Sequence, residues 1–117
     1  MSFDWRDYIR LAEDLMRHNE EAYARTVISR AYYGVFCLSR NKAGFRNYKE
    51  SNVHQKVIKH YQKSKNDNEQ YVGKVLDDLR KERNDADYNE DKVINSQLAH
   101  RVLLKAIDLL KRLGTTL

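Results

Sequence analysis

The stretch AYYGVFCL, residues 31–38, is the longest unbroken apolar run of this 117-residue chain and decides its fold class. It belongs to a helix predicted over about residues 20–40, because spacings of three and four place one inner stripe there. The residues of that stripe are Ala24, Val27, Ile28, Ala31 and Val35. Within 31–38 the helix is apolar on nearly all sides, whereas a surface helix of a monomer hides only one face. The run therefore predicts either the central helix of a bundle or part of a subunit interface, and both can hold together.

The composition of the chain also favours long helices. It contains no proline and only 4 glycines, whereas β-sandwiches and barrels use both residues at many turns. A hydrophobic fraction of 41% and a charged fraction of 33% leave enough apolar material for one core with charged outer faces. At this length a single domain over residues 1–117 is expected.

Four further helices are predicted around the central one. Apolar stripes of helical spacing place them at about residues 4–18, 53–62, 68–88 and 94–113. Their candidate end signals are the caps Asp4, Asn19, Asn52 and Asp67 or Asn68, and the C-terminal stop Gly114. The expected fold class is all-α, an up-and-down four-helix bundle with an additional short helix.

Residues 41–52 (NKAGFRNYKESN) have no clear periodicity and are predicted to form a loop. The loop mixes basic and aromatic side chains, which could grip a nucleic-acid backbone and stack a base. The alternative is a solvated connector whose aromatic residues, Phe45 and Tyr48, pack down locally.

Arg83 interrupts the apolar stripe of the fourth predicted helix, because the spacing continued beyond Leu79 reaches it. A guanidinium at such a position must meet carboxylates, backbone carbonyls, a subunit partner or a ligand. Asp87 lies four residues on, on the same face, and Arg80 lies one turn before. Either Arg83–Asp87 is an ion pair that fixes helix packing, or Arg83 is held ready to bind phosphate oxygens, which suit its planar fork.

Other chemistry is sparse in the sequence. The histidines and the single cysteine have no zinc-like spacing, no acidic cluster resembles a calcium loop, and no glycine-rich phosphate loop is present. We therefore expect neither a metal nor a cofactor. Cys37 lies inside the apolar run, which predicts a buried, inert thiol and excludes a disulfide scaffold.

The charge balance permits a polyanionic partner, since the formal net charge is +5 at pH 7. The apolar run of residues 31–38 is far shorter than the ~20 residues that cross a bilayer. The first ten residues, MSFDWRDYIR, lack the basic-then-apolar pattern of a secretory signal. A cytoplasmic location without membrane association is therefore expected.

Two stretches together resemble the HEPN family (higher eukaryotes and prokaryotes nucleotide-binding). SRAYYGVF, residues 29–36, resembles the RAYYA-hydrophobic-F signature on the second helix of that family. RNDADY, residues 83–88, resembles the R-x-x-A-D-Y signature near the end of the fourth helix in a prokaryotic branch of small members. His54 also fits that branch. The order, the spacing and the five-helix layout match over about residues 5–113.

The resemblance implies a dimerising bundle, often paired with a minimal nucleotidyltransferase in a toxin–antitoxin or stress-response system. Many members are metal-independent ribonucleases with an R-x4–6-H motif. Their arginine polarises the scissile phosphate, and their histidine helps to move the proton of the attacking 2′-hydroxyl. Arg83 and Asn84 match the start of this motif, but Tyr88 stands where the histidine of the shortest form would be. Tyrosines ordinarily titrate near pH ~10, so this one is a poor general base at neutral pH.

Three functions are therefore considered. The first is a homodimeric module that binds a nucleotide or RNA phosphate and a nucleotidyltransferase-type partner. Its candidate binding residues are Arg80, Arg83, Asn84, Asp87, Arg30 and His54. The second is a ribonuclease whose catalytic residues, Arg83 and Tyr88, act across the dimer with help from His54. The third is a purely structural network of Arg83, Asp87 and Tyr88. In all three, we assign Tyr32, Tyr33 and Phe36 to the core or the dimer contact.

Overall fold

The structure is a computed structural model that describes residues 2–117, and these residues form five helices and no strand. The helices are α1 Arg6–Leu15, α2 Glu21–Lys42, α3 Val53–Gln62, α4 Asp67–Tyr88 and α5 Ser96–Arg112. The predicted all-α bundle of five helices is confirmed. The largest difference lies at the end of α1, which was expected near residue 18 and stops at Leu15.

Helix α2 is the centre of the bundle, since it packs against each of the other four helices. Within the apolar run, Ala31, Tyr32 and Val35 are fully buried, and Phe36 is 2% exposed. The first of the two interpretations of this run, a central helix, is therefore confirmed. A single chain covers the run, so its burial requires no second subunit.

The predicted inner stripes all point into the core. Of the α1 stripe, Ile9 and Ala12 are fully buried, while Trp5, Leu15 and Met16 pack against the core at its edge. On α4, Leu76 and Leu79 are buried on the same face that continues to Ala86. The other buried stripe residues are Ala24, Val27, Ile28, Val57, Ile58, Tyr61, Val72, Val75, Val102, Ala106, Leu109 and Leu113.

The helix N-termini differ in how they are capped. Asp4 accepts a hydrogen bond from the backbone N–H of Arg6 at 3.0 Å, as its predicted capping role requires. Asn19 caps nothing, because α2 begins after Glu20, whose side chain makes no capping bond. Asn52 stands at the start of α3, but its side-chain oxygen accepts from the Tyr48 hydroxyl instead.

The prediction for α4 is wrong by one residue. Asn66, not Asp67 or Asn68, is the cap, and its side-chain oxygen accepts from the backbone N–H of Glu69 at 3.0 Å. Gly114 ends α5 as predicted. Its φ of +78° suits a residue without Cβ, and the backbone N–H of Thr115 returns to the carbonyl of Leu110.

The segment between α2 and α3 is irregular, as predicted, although α2 continues two residues further than expected, to Lys42. Phe45 packs against the core, and its ring centroid lies 5.9 Å from that of Tyr48 and 5.8 Å from that of His60. The structure therefore agrees with the second interpretation of this loop, in which Phe45 and Tyr48 pack locally. Arg46 and Lys49 remain exposed in the same loop.

Helices α3 and α4 approach each other very closely at Gly73. A Cβ built on Gly73 would lie 2.6 Å from the backbone nitrogen of Gln62 and 3.0 Å from the carbonyl carbon of Tyr61. Only glycine permits this approach, which brings the α3 backbone directly onto α4 and determines how the two helices face each other.

Within residues 2–117, no helix combines the length and the apolar character that crossing a membrane would require.

Candidate functional site

The two stretches that carry the family resemblance meet in space. Ser29 on α2 donates a hydrogen bond to Asp87 Oδ2 on α4 at 3.3 Å. Four residues further along α2, the hydroxyl of Tyr33 accepts a hydrogen bond from Arg83 Nη2. The fold therefore joins SRAYYGVF and RNDADY side by side, although they are more than 45 residues apart in the sequence.

Arg83 fills the position where the stripe of α4 called for an apolar residue, and its side chain is only 13% exposed. Its Nε lies 3.0 Å from Asp87 Oδ2, so the predicted ion pair is confirmed. This N–H is buried and is not aligned with the carboxylate, so it makes no hydrogen bond. Nη1 donates to Asn84 Oδ1 at 2.9 Å. The chain itself thus holds the guanidinium on three sides.

Tyr33 lies between two arginines. The Cζ of Arg83 is 4.7 Å from the centroid of its ring, and the Cζ of Arg30 is 5.3 Å from it. Arg30 also lies over the ring of Tyr8 at 4.5 Å and donates to Ser29 Oγ at 3.1 Å. Aromatic faces attract cations, so these rings hold two guanidinium groups on one side of α2 without neutralising either charge.

His54 of α3 lies against Tyr32 and Tyr33 of α2, with ring centroids 5.7 and 5.9 Å away. Its Nδ1 lies 2.7 Å from the Tyr32 hydroxyl, and its ring stacks on Phe36 with centroids 4.1 Å apart. Burial, reinforced by the positive charges of Arg80 and Arg83, lowers the pKa of His54 to about 4. The ring is therefore neutral at pH 7.

The tautomer of His54 follows from its partner. Tyr32 is fully buried, and its hydroxyl has no acceptor within residues 2–117 other than this ring. Burial also raises the pKa of Tyr32, so the hydroxyl keeps its proton and donates it to Nδ1. We assign the remaining hydrogen of His54 to Nε2, which makes that atom a neutral donor. His54 is only partly buried, and its Nε2 makes no hydrogen bond within residues 2–117.

The side chains of Arg80 and Arg83 meet different helices, although the sequence places both residues on one face of α4. Its side chain makes no hydrogen bond or ion pair with any described residue from 2 to 117. It lines a cleft of about 200 Å³ between α3 and α4, together with Gln55, Ile58, Lys59, Gln62 and Asp77. Asp77 is held by Lys81 at 3.3 Å. Arg80 is therefore an unneutralised cation in a concave surface.

Tyr88 is the last residue of α4 and is 76% exposed. The Cζ of Arg83 lies 5.6 Å from its ring centroid, so the two residues of the predicted catalytic pair are neighbours. Across the described residues, the Tyr88 hydroxyl has no hydrogen-bond partner that could activate it.

Arg25 is an important residue that sequence reasoning does not single out. Its Nη1 donates to the carbonyls of Asp85 and Ala86 at 3.2 and 3.1 Å, and its Nη2 donates to those of Asn89 and Lys92. Carbonyls at a helix C-terminus are unsatisfied and carry partial negative charge. Arg25 therefore clamps the end of α4 that carries RNDADY. No local signal in the sequence could have revealed it, because the partners lie some 60 residues away.

A larger cleft lies elsewhere, between α4 and α5, with a volume of about 420 Å³. Its walls carry Asp78, Lys81 and Glu82 from α4 and Arg101 and Lys105 from α5. None of the predicted site residues lines it. The smaller cleft is the one that contains a predicted binding residue, Arg80.

No family model, curated protein or solved structure matches this chain. Within residues 2–117, no group of three or more His, Cys, Asp or Glu side chains is arranged to hold a metal ion.

Proposed function

We propose that this chain is a HEPN-type module that binds the phosphate of a nucleotide or an RNA through Arg80, with Arg83 and His54 beside it. In this proposal it forms a homodimer and pairs with a nucleotidyltransferase-type protein in a toxin–antitoxin or stress-response system. Both the dimer and the partner rest on the family resemblance, not on contacts within the chain.

The observation that carries the proposal is the convergence of the two motifs. Ser29 contacts Asp87, and Tyr33 contacts Arg83, so the residues that suggested the family form one continuous network. The network holds Arg83 in place. One turn earlier on α4, Arg80 lines the cleft between α3 and α4.

The charges and donors of this region suit an anion. Arg80 offers an unpaired guanidinium, whose planar fork can bind two phosphate oxygens. His54 is near enough to Arg80 for its charge to act on the ring, and the neutral ring offers an N–H donor without the cost of holding a charge in a half-buried site. The charge of Arg83 is offset by Asp87. These groups can therefore bind an anion at neutral pH without any of them having to gain or lose a proton.

A metal-independent ribonuclease is the second candidate, because His54 and Arg83 both pack on Tyr33. Arg83 would offset the charge that develops on the scissile phosphate. His54 could accept the proton of the 2′-hydroxyl at Nε2 only after its hydrogen moves to Nδ1, which would then donate to Tyr32. The assigned tautomer opposes this, and the exposed Tyr88 has no activating partner, so binding is the better-supported function.

Arg80→Gln is the sharpest test of the proposed function. Arg80 has no partner within the described chain, so its replacement should not disturb the fold. We expect this variant to lose about tenfold in affinity for uridine monophosphate and for a short oligouridylate, measured by titration in EDTA. The matched control is Arg101→Gln, which removes an equally unpaired arginine from α5. If Arg80→Gln and Arg101→Gln bind as the unaltered chain does, the proposal is wrong.

The same samples separate binding from cleavage. An oligoribonucleotide incubated in EDTA should stay intact if the chain is a binding module. Cleavage that disappears in both Arg83→Ala and His54→Gln but persists in Tyr88→Phe would instead establish a ribonuclease built on His54. Loss of cleavage in Tyr88→Phe would show that the tyrosine has taken over the role of the missing histidine.

A further inference from the structure

Residues 51–66 carry four lysines and two histidines and no acidic residue. Most of this segment is α3, and at 100° per residue three of the lysines and one histidine fall within an arc of roughly 100°. These four residues are Lys56, Lys59, His60 and Lys63, and all of them are exposed. We call them the basic stripe of α3.

The charge of the basic stripe is not neutralised by the protein. Across residues 2–117, no carboxylate or other side chain pairs with Lys56, Lys59 or Lys63. Some other cations of the chain are held by carboxylates. Arg10 and Arg112, for example, contact carboxylates at 2.7 and 2.9 Å. An exposed stripe of free ammonium groups raises the local concentration of polyanions.

The basic stripe is continuous with the cleft beside Arg80. Lys59 belongs to both, because it lines that cleft together with Arg80. On the other side of the stripe, the ring of His60 lies 5.8 Å from that of Phe45, which in turn contacts the half-buried Tyr48. A positive surface therefore runs from α4 across α3 and ends at a group of aromatic rings.

We propose that this surface binds the backbone of a single-stranded RNA several nucleotides long, with one phosphate at Arg80 and the following ones along the basic stripe. The inference rests on the proposed function and extends it from a single phosphate to a polymer. From Lys56 to Lys63 the helix rises about 10 Å, which is more than one phosphate can span. Positively charged grooves bordered by aromatic rings are how proteins hold single strands without reading their sequence.

The chemistry of the stripe favours RNA over a membrane surface. A helix that lies on a bilayer inserts apolar side chains beside its lysines. The exposed positions of α3 are all polar or charged, namely Gln55, Lys56, Lys59, His60 and Gln62, and so is the exposed Lys63 that follows the helix.

The test compares an oligouridylate of about 10 nucleotides with uridine monophosphate at several salt concentrations. The variant K56Q/K59Q/K63Q should bind the oligonucleotide about tenfold more weakly. It should also lower the slope of log affinity against log salt by about 2, or roughly 0.7 for each lost phosphate contact. Its melting temperature should stay unchanged. Its affinity for uridine monophosphate should fall much less than its affinity for the oligonucleotide, because Lys59 is the only one of the three lysines that lines the cleft beside Arg80.

The matched control removes the same number of charges from α5, which does not contact α3. Arg101, Lys105 and Lys111 are exposed and have no side-chain partner within the described residues, so the control is R101Q/K105Q/K111Q. Its salt slope should match that of the unaltered chain. An equal loss in both triple variants would mean that only net charge matters, and would overturn the inference.

Two other outcomes separate the inference from the function on which it rests. If uridine monophosphate binds through Arg80 but the oligonucleotide binds no more tightly, the basic stripe is not a binding surface and the proposed function stands. If neither ligand binds, both proposals fail.

Discussion

Arg83 on α4 and Tyr33 on α2 hold each other directly: the guanidinium donates to the tyrosine hydroxyl, and its Cζ lies 4.7 Å from the centroid of the ring. The tyrosine supplies an acceptor and an aromatic face, while Asp87 supplies the countercharge. A phosphate that reached Arg83 would have to replace Tyr33 or Asn84 as the acceptor. The buried arginine is therefore a structural support for the site, and Arg80 is its accessible cation.

Replacing Arg83 should destabilise the fold. Arg83→Ala removes the partner of a carboxylate that is only 25% exposed and leaves the Tyr33 hydroxyl without its donor. We expect a loss of about 2 kcal/mol in the free energy of unfolding, and a fall in melting temperature of roughly 8 °C. Arg80→Ala is the control and should change stability by less than about 0.5 kcal/mol. Equal melting temperatures for the two variants would show that the Arg83 network contributes nothing to stability.

The buried histidine should make stability depend on pH. In the folded chain the pKa of His54 is lowered to about 4 from an ordinary value of 6.5, chiefly by burial. Above pH 6.5 both states are neutral at this residue and the full stability is present. As the pH falls from 6.5 to 4, only the unfolded chain takes up the proton, so stability is lost over that window. The loss should reach at most about 3 kcal/mol.

His54→Gln isolates this contribution in urea unfolding measured from pH 4 to 7. Glutamine still offers the Tyr32 hydroxyl an acceptor but does not titrate. The variant should therefore show a flatter pH profile than the unaltered chain. Parallel profiles would mean that His54 is protonated equally well in both states.

Arg25 should be as important to stability as many core residues. Arg25→Met keeps the apolar stem of the side chain but leaves the C-terminal carbonyls of α4 without their donors. We expect a loss of about 2 to 3 kcal/mol in chemical unfolding, together with faster amide exchange at the end of α4. Arg10→Met removes an exposed arginine that is paired with Asp4 and Asp7, and should cost less than about 1 kcal/mol. Similar losses in both variants would contradict the clamp.

Adding one methyl group at Gly73 should separate α3 from α4. Alanine is the better helix former by about 1 kcal/mol, but its Cβ would press on the Gln62 backbone at 2.6 Å. The overpacking should outweigh that gain, with a net loss of about 1 to 2 kcal/mol. Lys74→Ala, at the exposed neighbouring position, should be nearly neutral. A Gly73→Ala variant more stable than the unaltered chain would show that the helices can part at little cost.

The fold was predictable from the sequence because its signals are local. The spacing of Ala24, Val27 and Ile28 on α2, the absence of proline and the position of Gly114 are all readable within a few residues. The Arg83–Asp87 pair was predictable for the same reason, since four residues make one helical turn. The cap of α4 was not, because Asn66, Asp67 and Asn68 are adjacent and equally good candidates.

The rest of the site depends on which helix lies opposite which. Arg80 and Arg83 occupy one face of α4, but that face is shared between two neighbours, and so one arginine meets α3 and the other meets α2. The contacts of Arg25 with the end of α4, and of Tyr32 with His54, are likewise made between distant segments. Helical periodicity places a residue on a face but does not say what packs against it.

The central position of α2 has a consequence for how the chain is made. The protein leaves the ribosome N-terminus first, so α1 and α2 emerge long before α5. Helix α2 packs against α3, α4 and α5 as well as α1, so the burial of its apolar run depends on helices that are made after it. A nascent or truncated chain therefore exposes the apolar run of α2 until α5 has also been made.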